Sequence, residues 1–113
     1  MVPDSFAAWF KRYGGPMSTI AERVAAGMTW LDEHEPGWRQ RIDRDRLDLQ
    51  NCTRCIGGQL AGVYAAFLRR HGLSFSDAFL LGFNLGMGGD YDQLTATWRR
   101  LIATGRATSG GAP

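Results

Sequence analysis

No uninterrupted apolar stretch in this sequence approaches the ~20 residues that a helical membrane span needs. Nor does the N-terminus show a basic region followed by an apolar run and a cleavage site. These two absences point away from a membrane helix and a secretory signal, so the expected location is the cytoplasm. Cysteine is scarce: Cys52 and Cys55 are the only two. That is too few for a disulfide framework, and thiols in a reducing compartment stay reduced. Histidine is limited to His34 and His71. Charge of one sign is lacking too. Thirteen basic residues, mostly arginine, face eleven acidic ones, for a net charge of +2. The densest charged run, Arg39-Gln40-Arg41-Ile42-Asp43-Arg44-Asp45-Arg46, largely alternates in sign and reads as a solvated surface rather than a stripe that tracks phosphates. Neither a membrane nor nucleic acid is an expected partner.

What is present suits one globular domain. The 113 residues are 44% hydrophobic and 21% charged, and a chain of this length buries roughly two-thirds of its unfolded surface. Aromatic residues make up 12%, with four tryptophans, and glycine is abundant at 15 residues. Aromatic side chains bring large buried area, and glycine lets backbones approach closely.

Periodicity predicts a mainly α fold of four to five helices. Residues 4–13 place Phe6, Trp9, Phe10 and Tyr13 on one helical face, and Gly14-Gly15-Pro16 then breaks the chain. Residues 1–16 are therefore an aromatic appendage, 17–105 the helical core domain, and 106–113 a small, polar, disordered tail. A helix over about 19–34 starts with a Thr19–Glu22 capping box and stops before Pro36. The longest apolar repeat, from Cys52 to Leu68, predicts one continuous helix that ends at His71-Gly72. Asn51 or Thr53 would cap it. Gly57, Gly58 and Gly62 fall inside it, each costing up to ~1 kcal/mol against alanine, so another element should approach that face closely. Ser74 or Ser76 caps a brief helix. Asp90 with Gln93 caps a last one, which Gly105 ends. Leu47-Asp48-Leu49 alternates apolar and polar, which predicts one short β pairing between 47–49 and 83–85.

Cys52-Thr53-Arg54-Cys55 is the motif with reactive potential. A thiol in the first turn of a helix, beside Arg54, would have its thiolate stabilised. A structural zinc needs four ligands, commonly two close pairs. Here His34 and His71 would have to converge on the cysteine pair from two helix ends. The simpler reading makes Cys55 a small buried hydrophobe and the two histidines helix-end residues, and no metal or cofactor is expected. Asp43, Asp45 and Asp48 lack the closing Glu and turn Gly of a calcium loop. Gly86-Met87-Gly88-Gly89-Asp90 lacks the Lys-Ser/Thr of a phosphate loop. No catalytic grouping is legible.

From about Thr19 to Ile102 the chain resembles a family of short proteins of actinobacteria and their phages. The resemblance rests on Leu31-Asp32-Glu33-His34-Glu35-Pro36-Gly37-Trp38, Leu47-Asp48-Leu49, Cys55-Ile56-Gly57-Gly58-Gln59-Leu60 and Tyr91-Asp92-Gln93-Leu94-Thr95-Ala96-Thr97-Trp98. The family more often has Cys-Val-Leu-Gly-Gln where this chain has Cys55-Ile56-Gly57-Gly58-Gln59. The resemblance implies an origin in an actinobacterial cytoplasm or an infecting phage, and it transfers no functional residues.

Three classes of function follow. The first is a non-enzymatic interaction protein, such as a phage protein that binds and modulates a host protein. It would dock through Phe6, Trp9, Phe10 and Tyr13 on a protein partner or on a second copy. The second is a redox, zinc or small-ligand role for Cys52 and Cys55 with Gln59, His34 or His71. The third is nucleic-acid association through Arg39, Arg41, Arg44, Arg46 and Arg54. A variant of the third is docking on the DNA sliding clamp, because Leu47, Asp48 and Leu49 resemble the middle of the clamp-binding motif. The leading Gln and trailing aromatic of that motif are absent.

Overall fold

The computed structural model describes residues 19–108, with side chains to residue 104. Within it the chain is mainly α, with six helices in order: α1 Ile20–His34, α2 Trp38–Arg41, α3 Ile56–Ala61, α4 Tyr64–His71, α5 Phe75–Leu80 and α6 Tyr91–Thr108. No helix among the described residues is long and apolar enough to cross a membrane.

Local chemistry sets the boundaries of α1. The Thr19 hydroxyl accepts from Glu22 N at 3.0 Å, and the Glu22 carboxylate accepts from Thr19 N at 3.1 Å. The expected capping box is therefore formed, and it satisfies two backbone donors that the first turn leaves orphaned. At the other end Pro36 follows the cap residue Glu35, and Gly37 turns the chain with φ +79° into the single turn of α2. Val24, Met28, Trp30 and Leu31 form the buried face of α1. Gly27 lies on that face because α1 crosses the end of α5 and α6 there. A Cβ at residue 27 would overlap the Leu81 carbonyl oxygen and sit 3.2 Å from the Trp98 ring.

The continuous helix expected over 52–68 is instead two helices. Asn51 does cap, but it caps a turn: its Oδ1 accepts from Thr53 N and Arg54 N at 2.9 and 3.1 Å. Cys55 is the N-cap of α3, and Gly62, at φ +92°, ends that helix. Such a backbone is open to glycine and costly for other residues. The apolar spacing hid the break because it continues across it. Phe67 and Leu68 of α4 face the same core as Ile56 and Leu60 of α3. The expected close approach holds at Gly57, where a Cβ would lie 2.8 Å from the Phe67 ring, and at Gly58, where it would overlap Cys52 O. Gly72, in the left-handed region, closes α4 as expected, and a Ser74–Asp77 capping box opens α5. The last helix does not stop at Gly105 but runs to Thr108.

The β pairing is absent: no strand occurs among the described residues. Leu47 and Leu49 still point inward, at 1% and 5% exposure, and Asp48 points out. Side chains of α6 take the place of a partner strand. Thr95 Oγ1 accepts from Leu49 N at 2.9 Å, Arg99 donates to Leu47 O at 2.8 Å, and Arg99 Nε donates to Arg44 O at 2.9 Å. The backbone groups at Leu47 and Leu49 that a ladder would satisfy are met by these distant side chains.

One core joins all six helices. Trp98 is fully buried at its centre, stacked on Phe83 at 5.7 Å and edge-on to Trp38 at 6.1 Å. Its indole N–H donates to Gly82 O at 2.6 Å.

Candidate interaction surface

Large apolar side chains rarely remain exposed together on one small domain unless something covers them. Here Phe75 is 70% exposed and Met87 fully exposed, and both line one groove of about 720 Å³. Phe75 is the first residue of α5, so it projects just past the Ser74 cap instead of into the core. Met87 sits in the loop 86–89 between two positive-φ glycines, Gly86 and Gly88. Tyr64, Tyr91 and Leu49 continue the walls, and among the described residues no charged side chain lines the groove. A second groove of about 390 Å³, lined by Phe79 and Leu80, shares Phe75, Asn84 and Gly86 with the first.

The floor is held by a hydrogen-bonded frame. Buried Asn84 donates to Tyr64 Oη at 2.9 Å and to Phe75 O at 3.4 Å, and its Oδ1 accepts from Gly86 N at 3.0 Å. Tyr91 Oη accepts from Leu85 N at 3.0 Å and donates to Gly86 O at 2.9 Å. Burial pushes the Tyr64 phenol pKa up despite the Asn84 contact, so the phenol stays neutral in the physiological range. The loop that carries Met87 is therefore tied at its base by two tyrosines and one asparagine. The sequence reading missed Phe75 and Met87. The signal available was a large aromatic directly after a cap serine, off any apolar stripe.

The residues singled out in the sequence fall elsewhere. Phe6, Trp9, Phe10 and Tyr13 lie outside the described residues. Cys52 is exposed and Cys55 is buried, both as free thiols. Burial raises the Cys55 pKa, against a weaker lowering by the Gly58 N–H that donates to its sulfur at 3.2 Å. That direction is opposite to the stabilised thiolate a reactive first-turn cysteine requires. Gln59 is spent on structure: its amide accepts from Asp43 N at 2.6 Å and donates to Asp43 O and Arg54 O.

His34 and His71 come together with each other rather than in a four-ligand set with the cysteines. Their ring centroids are 6.3 Å apart on either side of a corner formed by Trp30. His34 Nδ1 lies 2.8 Å from Trp30 O, and His71 Nε2 lies 2.7 Å from Glu35 Oε2. Among the described residues no group of three His, Cys, Asp or Glu is arranged to hold a metal ion. Glu35 also receives Arg41 at 2.6 Å and Arg70 at 2.7 Å. Burial by itself would raise its pKa, but the bonds from Arg70, His71 and Arg41 outweigh it and hold the carboxyl at about 2.

The clamp-like motif lies in the core. A docking peptide must present its leucines, whereas Leu47 and Leu49 are core residues here and only Asp48 reaches solvent. Most of the arginines named for nucleic-acid association sit beside acids. Arg39 is paired with Asp32 and Arg41 with Glu35. Arg46, Arg54 and Arg99 share a groove with Asp45, Asp48 and Asp92.

The fold and groove thus define a small mainly α domain with an exposed, uncharged apolar surface. Compared with family models, curated proteins and solved structures, the chain matches none of them.

Proposed function

We propose that this chain is a non-enzymatic protein-interaction module. It holds an uncharged, amphipathic helical segment of a protein partner in the groove between Phe75 and Met87. The observation that carries this reading is that the two most exposed large apolar side chains among the described residues stand on the same groove. Methionine and aromatic residues adapt to and anchor helices laid in apolar grooves. The absence of charge in the lining disfavours charged contact faces, because burying an unpaired charge is costly. The resemblance to short actinobacterial and phage proteins supports a partner in the cell where the chain is made, a host protein in the phage case.

The test uses random 16-residue peptides displayed on phage, selected on the full chain. Selected peptides should show apolar residues at i, i+3, i+4 and i+7. Phe75→Asp and Met87→Asp should each weaken their binding at least tenfold while leaving helicity unchanged. Equal binding to wild type and both variants would refute the reading.

A further inference from the structure

The frame beneath the groove fixes the direction of each hydrogen bond in it. A backbone N–H can only donate, so the Asn84 atom 3.0 Å from Gly86 N is the amide oxygen. The Asn84 amide nitrogen then faces Tyr64 Oη at 2.9 Å and Phe75 O at 3.4 Å, and both of its hydrogens are taken. Tyr64 is the acceptor in that pair, which leaves its own O–H to be given elsewhere. Among the described residues no acceptor receives it. Tyr91 differs, because its O–H donates to Gly86 O while its oxygen accepts from Leu85 N. Gln50 also lines the groove, but it is exposed and offers donor and acceptor alike.

Tyr64 thus brings to an apolar groove a hydroxyl with one bond left to make. Its ring lies beside Phe75, 6.2 Å between centroids, so the open donor stands next to an apolar anchor. Burial keeps the phenol protonated. Solvent can meet that hydrogen only while the groove is open, and a partner that covers it with a methyl group loses the bond. A site built to bond a polar group rejects an analogue lacking it far more sharply than an apolar pocket separates two apolar groups. A carboxylate would also accept, but no cation among the described lining residues offsets its desolvation.

We propose that Tyr64 is the specificity-determining donor of this groove. The helix that docks between Phe75 and Met87 carries one neutral acceptor, the side-chain oxygen of Gln, Asn, Ser or Thr, on its apolar face and sets it on Tyr64 Oη. The inference rests on the groove being the interaction surface, and it adds which segments that surface accepts. An uncharged surface with one open donor is complemented by an uncharged segment with one acceptor.

The test uses the full chain and the 16-residue peptides selected on it. Those peptides should share one Gln, Asn, Ser or Thr, three or four residues from an apolar position and on the same face. Replacing it by the apolar residue nearest in shape should weaken binding to the wild type at least tenfold. Tyr64→Phe should bind the two forms of the peptide within about threefold of each other. In the wild-type complex a slowly exchanging hydroxyl proton with nuclear Overhauser contacts to the Tyr64 ring should appear with the acceptor peptide and not with its apolar form. Wild type that binds both forms alike overturns the proposal whether or not Tyr64→Phe folds. So does a shared Asp or Glu at that position, a complex without the hydroxyl signal, or a Tyr64→Phe that weakens both forms equally, since that pattern belongs to a purely structural tyrosine. The two readings fail separately. Binding that is sensitive to Phe75→Asp but indifferent to the acceptor leaves the module and removes the donor's role. Binding unchanged by Phe75→Asp and Met87→Asp removes the module, and the donor's role with it.

Discussion

Glu35 Oε2 and His71 Nε2 lie 2.7 Å apart, joining the cap of α1 to the last residue of α4. Arg41 and Arg70 complete the shell around that carboxylate. Its pKa is lowered from 4.5 to about 2, so the folded state holds the proton less tightly than the unfolded chain. The resulting stabilisation is fully present above about pH 4.5 and is lost as pH falls towards 2. A shift of that size is worth on the order of 3 kcal/mol. Glu35→Gln should therefore be destabilised by about 2 kcal/mol at pH 7. Urea melts at pH 7, 4 and 2.5 should show the gap to wild type closing with acidity. A gap independent of pH would show that the carboxylate's charge contributes nothing.

Gly27 tests the closeness of α1 to the Leu81 backbone. A methyl group there meets a carbonyl oxygen, which has no rotamer through which to yield. Gly27→Ala should cost about 3 kcal/mol, despite alanine's better helix propensity. Gly72→Ala provides the contrast: its Cβ meets nothing within 4 Å, so its cost is backbone strain alone, about 1 kcal/mol. Thermal melts of the two variants should rank in that order.

The two thiols should separate by reagent. Native protein treated with iodoacetamide should take up one adduct, on Cys52, because Cys55 is buried with a raised pKa. Unfolded protein should take up two. Intact mass before and after denaturation reads this directly, and rapid native labelling of Cys55 would contradict its placement. Cys55→Ala should cost about 1 kcal/mol.

Leu49→Ala should behave as a core truncation, losing about 2–4 kcal/mol, because the side chain is buried. Asp48→Ala should be nearly silent by comparison. Denaturant midpoints separate this from a docking role for the motif, in which Leu49→Ala would lose a partner and keep its stability.

Helix ends were legible where one residue's chemistry decides them: the Thr19–Glu22 box, the stop before Pro36, the left-handed cap at Gly72 and the Ser74 cap. The break at Gly62 was not legible, because the apolar period runs through it and only the backbone changes hand. The alternation of Leu47-Asp48-Leu49 matches an inward, outward, inward order of side chains, but the pairing expected from it is absent. Alternation reports which way side chains point, not what satisfies the backbone, and Thr95 and Arg99 are some fifty residues away in sequence. The groove was hidden for a related reason. Phe75 and Met87 look apolar in a string of letters; Phe75 stands outside because it directly follows the Ser74 cap, and Met87 because Asn84 and Tyr91 hold its loop in place.

The central place of Trp98 has a consequence for how the chain is made. Trp38, Phe83 and the Gly82 carbonyl all wait for a side chain on the last helix, and the backbone at Leu47 and Leu49 waits for Arg99 and Thr95. A nascent chain still lacking α6 can form the α3–α4 corner, whose contacts are local, but it has no way to close its centre. Aromatic surface remains open until α6 leaves the ribosome, a species that aggregates or engages chaperones. Stalling synthesis before Trp98 should therefore give a chain that protease cuts freely, and stalling with α6 fully emerged a resistant one.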